Sequence, residues 1–281
     1  MPGESWDQPL VRAPHPALRA YVDPYVGYHH RAAGPGRHRG MPSDRLTLIV
    51  AFDEPLDLAW HGSEETRRSF WMMASGLHSR AVDIRHGGVQ HGIQVSLTPL
   101  ACRALLGIPA GAIARDLVDL DAVLPEFDAY DDLPDAGWDQ RFAALDGALL
   151  AARGHRDQGC VRHPELDHAW ALVERSHGTI RVAALADAVG WSRRRLSERF
   201  HAEFGVTPKE AARVTRFDHS RRQVTRGVPL AEAAAASGYA DQPHLTREWR
   251  ELCGYSPTEY LREELPFVQD RDPDEAGDSA T

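Results

Sequence analysis

The feature that most constrains this chain is an internal repeat: LADAVGWSRRRLSERFHAEFGVTP can be laid over AAAASGYADQPHLTREWRELCGYSP. Ala186, Gly190 and Trp191 match Ala234, Gly238 and Tyr239 at an offset of 48. Leu196, Phe200, Gly205 and Pro208 match Leu245, Trp249, Gly254 and Pro257 at an offset of 49, so a one-residue slip falls between Tyr239 and Leu245. A small Ala lets two helices approach, a Gly permits the tight turn between them, and an aromatic residue seats that turn. Each unit therefore reads as a helix-turn-helix. Its second helix buries Leu196 and Phe200, or Leu245 and Trp249, which turns its early polar residues outward, where they can enter a major groove. The plainer reading of such a repeat is a helical hairpin array used for protein contacts.

Charge first opposes a nucleic-acid role. The 281-residue chain carries a formal net charge of -9, whereas phosphate neutralisation calls for surplus Lys and Arg. The distribution reverses this. Between Arg193 and Arg226 lie ten basic residues against four acidic ones, Glu198, Glu203, Glu210 and Asp218. Acid concentrates instead from Asp116 to Asp135 and from Asp270 to Asp278, which read as a solvated loop and a disordered tail.

Upstream the pattern is of strands. LTLIVAF is a short apolar run, and alternation follows at Leu56, Leu58 and Trp60, at Val82, Ile84 and His86, and at Ile93, Val95 and Leu97. Turns are expected at Gly62, Gly76 and Gly87-Gly88. Thr98 as N-cap, Pro99 and Gly107 bound one short helix. Trp138, Phe142, Leu145 and Leu149 form the stripe of a second. After the polar segment 154–164, Leu166, Ala169, Trp170, Val173 and His177 share a helix face that Gly178 ends. The expected organisation is a domain over 15–153, a linker over 154–164, a tandem helix-turn-helix domain over 165–265 and a disordered acidic tail over 266–281. The fold class is α+β and multidomain: a strand-rich N-terminal sandwich or barrel with helices, then an all-α domain. The start MPGESWDQPL lacks a secretory pattern and no window reaches a membrane span, so a cytoplasmic location is expected, on the nucleoid when bound to DNA. Cys102, Cys160 and Cys253 read as reduced thiols.

SGYADQPHLTREWRELCGYSP resembles the second unit of the AraC family of bacterial transcription regulators: a small residue, Gly-aromatic, a few polar positions, His-aromatic-Ser/Thr-Arg-x-aromatic, then Gly-x-Ser/Thr-Pro. Both repeats and the helix from Pro208 to about Arg226 fall within the resemblance. Two departures, Ala233 for a larger aliphatic and Cys253 for an aromatic, loosen the second unit. The resemblance implies a sequence-specific regulator whose partner is a double-stranded DNA operator, with RNA polymerase as a further partner. The first recognition helix begins near Ser192 and offers Arg193, Arg194, Arg195, Ser197 and Glu198. An Arg can pair bidentately with guanine, Arg194 being the first candidate, while Glu198 holds a neighbouring Arg. The second helix offers Asp241, Gln242, His244, Thr246 and Arg247, with Asp241 also a candidate N-cap. Two such helices on one connecting helix are expected to reach groove faces about 34 Å apart.

The resemblance further implies a cupin-like N-terminal domain that binds a small effector or dimerises. No effector residue can be nominated: Trp60, Trp71, Phe52 and Phe70 read first as core. His38, His86 and His91 lack a metal-type cluster with a following Glu, so no metal or other cofactor is expected. No catalytic constellation is visible either. The alternative is a metal-dependent cupin-type enzyme domain fused to a DNA-binding module.

Overall fold

The computed structural model describes residues 9–32, 34–128, 130–156 and 163–263. Among the described residues the N-terminal domain is built from ten antiparallel strands. Strands β1 (Leu10–Arg12), β2 (Tyr25–Arg31), β9 (Val89–Leu97), β4 (Leu46–Ala51), β7 (Met72–Ser75) and β10 (Leu117–Asp119) lie in that order in one sheet. β3 (Gly36–Gly40), β8 (Val82–His86), β5 (Leu56–Trp60) and β6 (Ser63–Phe70) form the second. Alternation along β4, β5 and β8 sends Ile49, Ala51, Leu56, Leu58, Val82 and Ile84 into the space between the sheets, where Phe70 and Met73 join them.

The outer face of the six-stranded sheet is covered by helix α1 (Trp138–Arg156). Tyr25 stacks on Phe142 at 5.9 Å and its hydroxyl donates to Asp146 at 2.8 Å. The expected α1 stripe is thus the face that closes this domain. Three expectations need correction. The turn after Thr98 is a π-helical segment, Cys102–Leu106, that begins at an Ala101 cap without a side-chain bond; Gly107, at φ 73°, does end it. The acidic stretch 116–135 is not simply a solvated loop, because Leu117, Leu120, Val123, Leu124, Phe127 and Leu133 are buried core. β1, β2, β3, β6, β7 and β10 lie outside the alternating runs read from the sequence.

Helices α2 (Pro164–Arg175), α3 (Val182–Ala188), α4 (Arg193–Phe204), α5 (Pro208–Thr225), α6 (Leu230–Ala236), α7 (Gln242–Cys253) and α8 (Pro257–Glu263) form the C-terminal domain. The ends of the expected linker belong to α1 and α2, and 157–162 fall outside the described residues, as does the expected tail. His177 sits beyond α2, at φ 49°, with its ring stacked 4.0 Å from His219. No helix among the described residues is long and apolar enough to cross a membrane.

Candidate nucleic-acid interface

The repeat read in the sequence is repeated in the backbone. Gly190 and Gly238 take φ of 68° and 72°, a left-handed conformation that glycine adopts without penalty. The amides of Trp191 and Tyr239 then donate to Ala186 O and Ala234 O at 3.0 and 2.9 Å. Gly205 and Gly254, at 70° and 75°, end α4 and α7 in the same way. Leu196, Phe200, Leu245 and Trp249 are all fully buried. Trp170 of α2 stacks on Phe200 at 5.7 Å, and Phe217 of α5 meets Trp249 at 5.1 Å. Ala233 and Cys253 are completely buried as well, with Cys253 donating its thiol to Trp249 O at 3.1 Å.

α4 presents Arg193, Arg194, Arg195 and Glu198 to solvent, with Ser197 half-buried. Ser192 caps the helix by accepting from the Arg195 amide at 3.2 Å. Arg194 donates to Glu198 at 2.8 Å, the Arg-holding arrangement expected of that carboxylate. The Arg195 guanidinium lies 4.8 Å above the Trp191 ring. In α7, Gln242 and Arg247 are exposed and Thr246 is half-buried. Asp241 caps this helix by accepting from the His244 amide at 2.7 Å. His244 Nδ1 accepts from Ala240 N at 3.3 Å, which puts its ring proton on Nε2, 3.6 Å from Glu248.

The four acidic residues of the basic block are largely withdrawn from this surface. Asp218 is buried between Arg221 and Arg222, which, against the effect of burial, hold its carboxyl down to about 2. Glu203 and Glu210 are occupied by arginines of the N-terminal domain: Arg103 grips Glu203 bidentately at 2.6 and 2.7 Å, and Arg115 reaches Glu210 at 2.7 Å. Only Glu198 of the four is exposed. These pairs escaped sequence reading because each spans about a hundred residues. So did Arg45, which joins Glu174 of α2 at 2.5 Å, and Arg39, which donates to Cys253 O at 2.9 Å. A small interdomain cavity is lined by Asp44, Leu77, His78, Trp170, Val206 and Val214.

The N-terminal domain also brings together His29, Asp53 and His91, whose ligand-type atoms lie within 4.8 Å of one another. Their positions on β2, on β9 and in the turn after β4 leave no sequence spacing to recognise. Arg141 donates to His91 Nε2 at 2.7 Å, so the Nδ1 proton points to Asp53 at 3.2 Å. Burial holds His91 below the ordinary histidine value. Arg141 is itself fixed by Leu133 O and Pro134 O. A cation entering here would displace the Nδ1 proton and face that guanidinium, so the arrangement works as a hydrogen-bond chain.

Comparison with known proteins agrees with this geometry. A family described as helix-turn-helix domain matches residues 185–263. A curated AraC-like transcription regulator of Streptomyces antibioticus is 30% identical over 105 residues, covering 37% of this chain. The chain spans about a third of that relative's length, 31%. ToxT from Vibrio cholerae superposes with a TM-score of 0.54 at 11% identity, over 85% of this chain and 98% of that one. A ToxT structure from strain SCE256, bound to an unsaturated fatty acid, covers 89% and 96% with the same TM-score and identity. At such identity the likeness is one of fold, and it extends through both domains. Residues 185–263 thus match a helix-turn-helix domain family, and they lie behind a strand-rich N-terminal domain.

Proposed function

We propose that the protein is a sequence-specific transcription regulator that reads two successive major-groove segments of an operator with α4 and α7. The observation that carries this reading is the pair of matched units, each with a left-handed glycine turn, a capped helix and an exposed polar first turn. Arg194 is the leading base-reading residue and Gln242 and Arg247 its counterparts, able to pair with guanine and adenine edges. Ser192 and Asp241 serve the helices as caps.

The test is selection of binding sites from random duplex DNA by the full chain, followed by variants. Arg194→Ala is expected to relax preference at one base position by about 1–3 kcal/mol. Arg193→Ala is expected to weaken all sequences alike and to lower the salt slope by about 1, as loss of a phosphate contact does. Unchanged binding by both variants overturns the assignment. The N-terminal domain is proposed to take a small effector or to dimerise. Support comes from the shared fold with ToxT, one of whose structures holds an unsaturated fatty acid. Thermal shift and operator competition with a series of aliphatic carboxylates test the effector role, and sedimentation tests dimerisation.

A further inference from the structure

The two recognition helices are held at equivalent points by the other domain. α4 ends at Gly205 and α7 at Gly254, the same place in the repeat. At the first, Arg103 grips Glu203, only 8% exposed, through two hydrogen bonds. Beside it Gly111 packs backbone to backbone, so that a Cβ built there would lie 2.9 Å from Gly205 N. At the second, Arg39 donates to the terminal carbonyl of α7, on Cys253, while its guanidinium lies 3.8 Å above the Tyr255 ring. Arg39 is aimed by Asp83 at 3.3 Å, and Asp83 by His61 at 3.0 Å. Between the two ends, Ser79 and Arg115 hold Glu210 at the start of α5 at 2.8 and 2.7 Å.

A bidentate Arg–carboxylate pair fixes orientation as well as distance, and an Arg on the last carbonyl of a helix suits the negative end of its dipole. We propose that Arg39 and Arg103 are positioning residues for DNA reading: through them the N-terminal domain sets the separation and relative angle of α4 and α7. The proposal rests on the two-helix reading above. Its consequence is a fixed spacing between the two base segments read. Inserting or deleting one base pair displaces one segment by about 3.4 Å along the axis and rotates it by about a tenth of a turn. A clamped pair of helices does not follow that change, whereas a pair joined only through α5 has more freedom.

The experiment first selects a bipartite site with the wild-type full chain, then measures affinity for that site and for versions with one base pair added or removed between its halves. Wild type is expected to lose about tenfold or more on the altered spacings. R39A/R103A is expected to bind all three within about threefold of one another while keeping the base preferences of each half. The ratio between spacings is the readout, because a general loss of stability lowers all three affinities together. The same spacing penalty in wild type and double variant overturns the proposal. If the double variant does not fold, E203Q and R39K carry the same comparison, each expected to reduce the penalty at least threefold. A wild-type chain that selects no site overturns the two-helix reading and the positioning role that depends on it. One that selects a site read by a single helix overturns the positioning role alone.

Discussion

His78 is a half-buried residue at the interdomain cavity, edge-on to Trp60 at 5.0 Å, and desolvation of its ring lowers its pKa from 6.5 to about 4. Burial, with His86 and His30 nearby, lowers His38 to about 3. In both cases the folded chain holds the neutral ring, and the unfolded chain takes up the proton first as pH falls. Stability from these sites is complete above pH 6.5 and is lost as pH drops through 6.5 toward 4 for His78, and further for His38. For His78 that difference is worth on the order of 3 kcal/mol. His78→Gln is expected to flatten the fall in urea midpoint between pH 6.5 and 4 by about one proton. An unaltered pH slope would falsify this role for His78. At this scale the Asp241 cap and the Arg194–Glu198 pair were legible, because each is a local, three- or four-residue relation, whereas Ser192 was read only as the start of its helix and the structure makes it the cap. The His29–Asp53–His91–Arg141 chain was not, since its members meet only once the sheet has formed.

Among elements, α5 is the beam on which both units are mounted, and its hold on α7 is polar as well as apolar. Ser220 is fully buried and accepts from the Trp249 indole at 2.9 Å. Glu248, 8% exposed, takes Arg213 at 3.1 Å and Arg216 at 3.0 Å. Ser220→Ala leaves the indole N–H buried without that acceptor, a loss of about 1–3 kcal/mol. The expected outcome is faster amide exchange in α6–α8 with α1 and the sheets unaffected; exchange spread evenly over the chain counts against it. The helical units were legible because their apolar spacing, glycines and prolines agree with one another. Strands β3 and β6 were not: as the two outer strands of their sheet they carry GRHRG and SEETRRSF, with little apolar alternation to detect. The stretch 116–135 hid a core contribution because short 3-10 turns, Leu120–Ala122 and Tyr130–Asp132, break the spacing of its buried residues.

For the whole molecule the question is how tightly the two domains are joined, and sequence is silent on it because the joining pairs are distant: Arg103 and Glu203 lie a hundred positions apart. Gly111 and Gly205 show how close the approach is. A Cβ on Gly205 would lie 2.2 Å from Ala114 Cβ and would also burden a φ of 70°, so substitution there mixes local strain with docking. Gly111 separates the two effects. It sits in the short helical turn Ala110–Ala112, flanked by alanines, and the obstacles to a side chain are backbone atoms of the other domain, Gly205 N at 2.9 Å and Ala202 O at 3.0 Å. Those atoms belong to the end of α4 and cannot rotate aside. Gly111→Ala is therefore expected to wedge the domains apart while leaving each folded. The cost of such overpacking is about 1–3 kcal/mol, a fall of roughly 2–10 °C in midpoint for a chain this size. Small-angle scattering should show a larger radius of gyration, and exchange should quicken around Arg103 and Glu203 with unchanged far-UV dichroism. A scattering curve identical to wild type would mean that the contact between Gly111 and Gly205 yields without opening the joint.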